Sequence, residues 1–236
     1  MWSWHQERWP EQPRVGDAVR PDDPPGSWRG DGDRFLSPER NAEADEQIAA
    51  MRGHEKGMTE TLEHIEQDNS CGGTLAGLEH CLKGADRIKE KICDMIEEQA
   101  GLTLADAAKQ VKDVVRYTFL LEHDVYARGY ADITERLESA DCRMTYGRNN
   151  WLMNHEYKGV NTQWVTPGGG RFELQFHTPE SLDAKENRTH HAYERLRSLT
   201  VSPAEERDLR GYQTYVSAAI PLPADVETIR HHEKRA

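Results

Sequence analysis

The sequence predicts an α/β (α+β) protein in which helices flank one small mixed β-sheet. From about residue 74 onward, segments with helical periodicity alternate with short runs rich in β-branched and aromatic residues. Two of these runs are separated by Pro167-Gly168-Gly169-Gly170, which is a turn signal. We assign residues 71–222 to one domain, because a chain of 236 residues with 36% hydrophobic content suits a single core with appendages.

The part of the chain that precedes this domain has a different composition. Residues 1–41 are rich in Pro and Gly and show no apolar periodicity, so we expect a disordered or weakly ordered tail whose removal leaves catalysis intact. Residues 42–70 predict one amphipathic helix, which the following Gly72-Gly73 ends. Four tryptophans lie in the tail, and five apolar residues mark the helix: Trp2, Trp4, Trp9 and Trp28, then Ile48, Met51, Met58, Leu62 and Ile65.

Within the domain, the pattern predicts alternating helices and strands. We expect helices over 84–99 and 124–139, strands over 114–121 and 143–147, and an antiparallel hairpin of 160–166 with 171–178. Thr178 as N-cap with Pro179 at the first helical position predicts another helix. A last helix begins near Ser202-Pro203 and ends by Pro221, and residues 223–236 form a C-terminal tail.

The charge of the chain argues against nucleic acid as a partner. The net charge is -12, of which -8 falls on residues 1–70 and -4 on residues 71–236. A surface that neutralises phosphates shows a basic excess, and neither part has one. No apolar run reaches the roughly 18 residues of a membrane span, and no signal peptide is recognisable, so we expect no membrane contact.

The cysteines do not indicate a metal module. Cys71, Cys81, Cys93 and Cys142 show no CxxC spacing, which argues against a zinc site. We interpret Cys81 and Cys93 as buried thiols. A disulfide involving Cys71 and Cys142 is the alternative for a chain that works outside a reducing compartment.

Strand 171–178 carries a first candidate set of functional residues. Its apolar residues alternate strictly with polar ones, so Arg171, Glu173, Gln175 and His177 share one face. A solvated outer face produces the same alternation. Gln and His are not typical of such a face, however, which favours a functional role.

The predicted helix at 84–99 carries a second set. Lys83, Arg87 and Lys91 recur every four residues and therefore lie on one side. They suit a row of polyphosphate oxygens, although three cations are also typical of a solvated helix face. Asp113 opens the next strand, where a carboxylate can hold Mg²⁺ or simply serve a turn.

Together these segments resemble the RelA/SpoT-type synthetase domain over roughly residues 75–220. The resemblance rests on KGADRIKEK at 83–91, DVVRYT at 113–118, YKGVN at 157–161 and ELQFHT at 173–178, in that order. It implies a nucleotidyltransferase-like fold with a mixed sheet. It also implies transfer of the β,γ-pyrophosphate of ATP to the 3′-hydroxyl of a purine nucleotide, with release of AMP.

The resemblance assigns a role to each motif residue. Asp113 and Glu173 are the implied catalytic residues and Mg²⁺ ligands, with Glu173 as the base for the 3′-hydroxyl. The ATP phosphates are implied to contact Lys83, Arg87, Lys91 and Arg116. Tyr157 is implied to stack on the acceptor base, and the remaining acceptor residues are Lys158, Asn161, Gln175 and His177.

Several positions depart from the common pattern of the family. Arg116 and Thr118 stand where a Gly and an Arg usually follow the metal Asp, so one phosphate contact is rebuilt. Asn161 stands where many members have His, and His177 where many have Arg. This variant signature is similar to single-domain toxin-like synthetases and to secreted nucleotide 3′-pyrophosphokinases, so we expect a cytoplasmic protein or a delivered effector.

The sequence leaves three functions open. The leading prediction is a pyrophosphokinase that makes (p)ppApp- or (p)ppGpp-like products from ADP, ATP, GDP or GTP, with a cognate immunity protein as a possible partner. The first alternative is pyrophosphorylation of the tRNA 3′ end, which the acidic balance disfavours. The second is a catalytically silent nucleotide-binding module, which the joint presence of Asp113 and Glu173 disfavours.

Overall fold

The computed structural model describes residue 20 and residues 22–197 and 201–232. Helices and short strands alternate along the chain, and we number both in chain order. The helices are α1 Pro38–Arg52, α2 Glu55–Asp68, α3 Ala85–Glu98, α4 Leu104–Gln110, α5 Tyr126–Ser139, α6 Asn150–Met153, α7 Pro179–Asp183, α8 His190–Leu196 and α9 Pro203–Ala218. The strands are β1 Trp28–Arg29, β2 Phe35–Leu36, β3 Thr74–Ala76, β4 Arg116–Leu120, β5 Arg143–Asn149, β6 Val160–Val165 and β7 Arg171–His177.

Five of these strands form one mixed sheet in the order β3-β4-β7-β6-β5. The β6 and β7 strands pair antiparallel across the 167–170 turn, which confirms the predicted hairpin. The β4 and β7 strands pair in parallel, with Arg116 beside Glu173 and Leu120 beside His177. The predicted α+β architecture with a small mixed sheet is confirmed.

Local capping chemistry explains several helix starts. The Thr178 side chain accepts a hydrogen bond from the Ser181 backbone N–H, and Pro179 occupies the first turn, as predicted. Ser202 caps α9 in the same way, with Pro203 following it. After α7 the chain makes a π-turn over Ala184–Arg188 before α8 begins, and such turns are frequent at functional sites.

The expectation of a weakly ordered tail over 1–41 is wrong for its described part. Trp28 lies in β1, pairs with Leu36 of β2 and is 8% exposed. Its indole Nε1 donates a hydrogen bond to Asp86 at 2.8 Å, and Arg34 forms an ion pair with Asp94. Both carboxylates belong to α3, so this hairpin packs on the domain. Trp2, Trp4 and Trp9 lie outside the described residues.

The other boundaries also differ from the expectation. The helix predicted over 42–70 begins at Pro38 and is interrupted at Gly53-His54, so two helices form. The described part of the predicted C-terminal tail packs on the sheet, since Val226 and Ile229 are buried and His232 bridges to Gly147. Strand β3 and helix α4 were not predicted.

The core lies on the apolar face of β4 and β7 and continues into α2, α3 and α5. Phe119 stacks on Phe176 with ring centroids 6.3 Å apart, and Tyr117 meets Phe172 edge-on. All four cysteines are free, so the alternative disulfide is absent; Cys81 is buried and Cys93 half-buried. No helix in the described ranges has the length and apolar character needed to cross a bilayer.

Candidate active site

A cavity of about 360 Å³ opens where β4 begins, beside the middle of β7. Asp113 and Glu173 both line it, although 60 positions of sequence separate them. The β4–β7 register explains their meeting, because it sets Arg116 beside Glu173 and Asp113 lies only three residues earlier. The lining residues are Lys91, Met95, Gln110, Val111, Lys112, Asp113, Gln163 and Glu173.

On one side of the cavity the contacts are ionic, and we call Lys83, Lys91 and Asp113 the charged half. Lys91 Nζ lies 2.8 Å from both carboxylate oxygens of Asp113, and Lys83 Nζ donates to the same carboxylate. The three side chains are only 16–30% exposed. Burial raises the pKa of Asp113, but the two ammonium groups outweigh burial and lower that pKa to about 2. Asp113 is therefore ionised at neutral pH.

The backbone fixes Lys83 near Asp113. The Lys83 N–H donates to Val114 O at 2.9 Å, and the Arg116 N–H donates to Cys81 O at 2.8 Å. These bonds hold the start of α3 against the start of β4. The Arg52 guanidinium, from the end of α1, donates to Lys83 O. Helix α3 then carries Lys91 back over the same carboxylate.

Arg87 does not join the charged half. Its guanidinium forms ion pairs with Glu90 on α3 and with Glu194 on α8. The side chain therefore links two helices. Of the three cations predicted to share a helix face, the structure brings only Lys83 and Lys91 onto Asp113.

On the other side of Glu173 the contacts are neutral hydrogen bonds, and we call Tyr157, Asn161, Gln175 and His177 the neutral half. Asn161 Nδ2 and Gln175 Nε2 both donate to Glu173 Oε1, at 3.1 and 2.9 Å. Tyr157 donates its hydroxyl proton to Asn161 Oδ1 at 2.8 Å, and its oxygen lies 2.9 Å from His177 Nε2. Within the described part of the chain, the hydrogen bonds to the Glu173 carboxylate reach Oε1 and leave Oε2 without one.

Burial keeps the neutral half uncharged. The His177 ring is fully buried, and burial together with the Lys185 and Arg116 charges lowers its pKa well below the usual value. Burial, with the nearby Glu173, raises the pKa of Tyr157. The second ring nitrogen of His177, Nδ1, lies 2.8 Å from Ser181 Oγ. Gly159 permits this packing, because a Cβ there would lie 2.8 Å from His177 Cε1.

Lys158 points away from this set. Its Nζ donates to Trp151 O at 2.8 Å and to Asn154 O at 3.0 Å. These carbonyls lie in α6 and directly after it, where backbone acceptors lack helical partners. The structure therefore gives Lys158 a capping contact.

Two further residues near the site, Lys185 and Gln163, were not predicted from the sequence. Lys185 lies in the π-turn and is 20% exposed, and burial and the Arg116 charge lower its pKa. It pairs with Glu186 at 2.5 Å. Gln163 lies directly across from Glu173 in the hairpin, as Asn161 lies across from Gln175. Both cross-strand pairs can be found from the sequence by counting outward from the 167–170 turn along the two strands.

The donor set suits Mg²⁺ held jointly by protein and substrate. Mg²⁺ is commonly bound by one or two carboxylates together with water and phosphate oxygens. Asp113 and Glu173 line the same cavity, and Asp113 is ionised. Among the described residues, no group of three or more His, Cys, Asp or Glu side chains is arranged to hold a metal by itself. The two carboxylates therefore fit a metal that arrives with phosphate ligands.

Comparison with known proteins identifies the fold. No protein-family model and no curated protein match the sequence. The structure is similar to one of the complex between the type VI effector Tas1 and its immunity protein, with a TM-score of 0.51, 19% identity and coverage of 75% of this chain and 98% of the other. It is also similar to small alarmone synthetase 1 of Bacillus subtilis bound to its product pppGpp, with a TM-score of 0.51, 13% identity and coverage of 75% and 92%. The chain therefore has the RelA/SpoT-type synthetase fold.

Proposed function

We propose that the protein transfers the β,γ-pyrophosphate of ATP to the 3′-hydroxyl of a purine nucleotide and releases AMP. The observation that carries the proposal is the position of Glu173 between the charged half and the neutral half of one site. A carboxylate there can accept a proton from a hydroxyl while cations beside it bind phosphates. The shared fold supports the same reaction class.

The charged half serves the donor nucleotide. Lys83 and Lys91 form charge-assisted hydrogen bonds with the phosphate oxygens of ATP. The charge of Arg116 acts on Lys83 in the charged half and on Tyr157 and His177 in the neutral half, and Arg116 supplies a further cation for the transferred group. Arg87 stabilises the site indirectly, by holding α3 against α8.

The neutral half serves the acceptor. Asn161 and Gln175 hold one oxygen of Glu173, which leaves Oε2 for the substrate. The 3′-hydroxyl gives its proton to this oxygen as its own oxygen attacks the β-phosphorus of ATP. The bond from the β-phosphorus to the oxygen that bridges it to the α-phosphorus breaks, and AMP leaves with that electron pair. Asp113 and Glu173 would hold Mg²⁺, which would supply charge neutralisation for the phosphates.

We also propose that the protein acts as a delivered toxin or effector that a cognate immunity protein neutralises. Likeness to the structure of the Tas1 complex, which contains an immunity protein, supports this role. Expression of the wild-type chain inside bacteria is expected to stop growth, whereas Glu173→Gln is expected to be tolerated. Equal growth of the two strains would contradict the toxin role without affecting the proposed reaction.

The test of the reaction is a product analysis by mass spectrometry. The purified protein is incubated with ATP and Mg²⁺ alone, then with ADP, GDP or GTP, and then with deacylated tRNA. We expect 3′-pyrophosphorylated mononucleotides together with an equal amount of AMP. Modified tRNA without such products would assign the alternative acceptor, and absence of AMP under every condition would indicate a silent binding module.

Glu173→Gln is the matched inactive variant for this assay. It keeps the size of the side chain and removes the proton acceptor, so transfer is expected to fall by about 10²–10⁴-fold. ATP binding, measured by calorimetry, is expected to remain. Wild-type turnover in the variant would remove Glu173 from the role of base.

A further inference from the structure

The amide of Gln175 has one hydrogen-bonding atom without a partner. Gln175 is 4% exposed, and its Oε1 is buried without a hydrogen bond from any described residue. A buried amide oxygen that lacks a donor is destabilising, because it has lost its hydrogen bonds to water without a replacement. Such an atom beside a reactive carboxylate is therefore a candidate contact for a ligand that carries a donor.

The neighbouring carboxylate fixes the orientation of this amide. Gln175 Nε2 donates to Glu173 Oε1 at 2.9 Å. A rotation of the amide by 180° would place its oxygen against a carboxylate oxygen, so that two hydrogen-bond acceptors would face each other. The nitrogen therefore stays on Glu173, and Oε1 remains the free acceptor. Because the two amide atoms share one carbon, this acceptor lies close to the carboxylate that takes the proton of the 3′-hydroxyl.

The chemistry of the acceptor nucleotide limits which of its groups can reach Oε1. When the 3′-hydroxyl lies on Glu173, the nearest other donor of a ribonucleotide is the adjacent 2′-hydroxyl, on the same side of the ribose. The amino groups of the base are several bonds farther away. In the free protein, no described residue donates a hydrogen bond to this oxygen, so it is available to the ligand.

We propose that Gln175 Oε1 accepts a hydrogen bond from the 2′-hydroxyl of the acceptor and thereby restricts the enzyme to ribonucleotide acceptors. This inference rests on the proposed pyrophosphate transfer and specifies the substrate class of that site. A 2′-deoxynucleotide keeps the reacting 3′-hydroxyl but leaves Oε1 without a donor. A site built to bind a hydroxyl group rejects an analogue that lacks it.

The test compares ADP with 2′-deoxyADP and GDP with 2′-deoxyGDP as acceptors for the full-length protein with ATP and Mg²⁺. For the wild type we expect kcat/KM to be about 10- to 100-fold higher for the ribonucleotide of the accepted base. Equal values for the two sugars would overturn the proposal. In that case transfer to the 2′-deoxynucleotide would still support the pyrophosphokinase function, whereas no transfer to any acceptor would overturn both.

Gln175→Met assigns the preference to this side chain. The substitution keeps the approximate volume and removes both amide atoms, so both acceptors react more slowly and only the ribose-to-deoxyribose ratio is informative. We expect this ratio to fall close to one. A ratio that stays at the wild-type value would overturn the role of Gln175. If turnover is too slow, the affinities of the two acceptors, measured by calorimetry, give the same ratio.

Gln213→Met is the matched control. Gln213 lies on α9, is 5% exposed, and also has a buried Oε1 without a partner. It lies outside the β6–β7 hairpin that carries Glu173, whereas Gln175 lies in that hairpin and donates to Glu173 Oε1. We expect its substitution to leave the ratio at the wild-type value, which separates the effect of a ligand contact from the general effect of removing a buried amide. A ratio of one in the control would also count against the proposal.

Discussion

The two halves of the candidate site satisfy their polar groups in opposite ways. In the charged half, Asp113 is paired with Lys83 and Lys91, so each ion already has a partner before any nucleotide binds. In the neutral half, amide, hydroxyl and imidazole groups hold Glu173 through hydrogen bonds, and burial keeps them uncharged. In the proposed reaction, the phosphates of ATP would therefore have to replace an existing ion pair, whereas the acceptor would meet side chains that already hold one another through hydrogen bonds.

The two halves also depend on different parts of the chain. The neutral half lies mainly on the β6–β7 hairpin, which is central in the sheet. The charged half depends on α3, and contacts from the N-terminal hairpin of β1 and β2 hold that helix. Substitutions in the N-terminal hairpin should therefore affect the charged half before they affect the neutral half.

Loss of the Trp28 side chain is expected to have the largest effect on stability. Trp28→Ala removes a buried indole and its hydrogen bond to Asp86, so we expect the free energy of unfolding to fall by about 3–5 kcal/mol. Urea denaturation measures the change. Phe35→Ala, in the same hairpin at a residue that is 36% exposed, is the control and should cost about 1 kcal/mol or less. If both substitutions lowered the free energy of unfolding by the same small amount, the segment that contains Trp28 and Phe35 would again be interpreted as a weakly ordered tail.

Asp113→Asn tests the ion pairs of the charged half. The substitution leaves two partly buried ammonium groups without their anion, and we expect a loss of about 1–3 kcal/mol of stability. Metal-free tripolyphosphate should then stabilise the variant more than the wild type, because Asp113 no longer competes for the lysines or repels the phosphates. Thermal denaturation in the presence of a chelator measures both effects. Stronger stabilisation of the wild type would show that the lysines do not exchange Asp113 for phosphate.

His177→Gln tests the claim that the neutral half must stay uncharged. Burial lowers the pKa of His177, so the unfolded chain takes up a proton first as the pH falls below about 6.5. Wild-type stability should therefore drop by about 1.4 kcal/mol for each pH unit below that value, until the folded state is also protonated. The ring contacts Tyr157 and Ser181 and lies near the charges of Lys185 and Arg116. None of these four groups supplies a negative charge that would stabilise a protonated ring.

The variant should lose this contribution and become less sensitive to acid than the wild type. Denaturation at pH 8.0 and at pH 5.5 measures the difference. An equal acid dependence in both proteins would show that His177 does not set it. The other histidines are unchanged in the comparison, so they cancel.

The features that the sequence predicted are those encoded over short distances. The β6–β7 hairpin follows from a turn signal and alternation, and the start of α7 follows from Thr178-Pro179. The parallel pairing of β4 with β7 joins residues nearly sixty positions apart, and no local pattern indicates it. The polar face of β7 therefore looked compatible with a solvated surface, although Glu173, Gln175 and His177 are 9%, 4% and 0% exposed.

The same distinction applies to single residues of the site. A spacing of four residues placed Lys83, Arg87 and Lys91 on one helix face, but it could not show that Glu194, from a distant helix, binds Arg87. Trp28 is an isolated apolar residue among Pro, Gly and charged residues, so periodicity gave no sign of its burial. Its partners on α3 become visible only in three dimensions.

Lys158→Met is expected to have the smallest effect and tests where the neutral half ends. The resemblance assigns Lys158 to the acceptor, whereas its Nζ donates to the carbonyls of Trp151 and Asn154. If this capping contact is its role, the variant loses about 0.5–1.5 kcal/mol of stability and keeps the wild-type KM for the acceptor. A KM raised tenfold at unchanged stability would instead mean that the side chain leaves the carbonyls and binds the acceptor. The neutral half would then gain a cation when the acceptor binds, and the contrast between the two halves would hold only for the free protein.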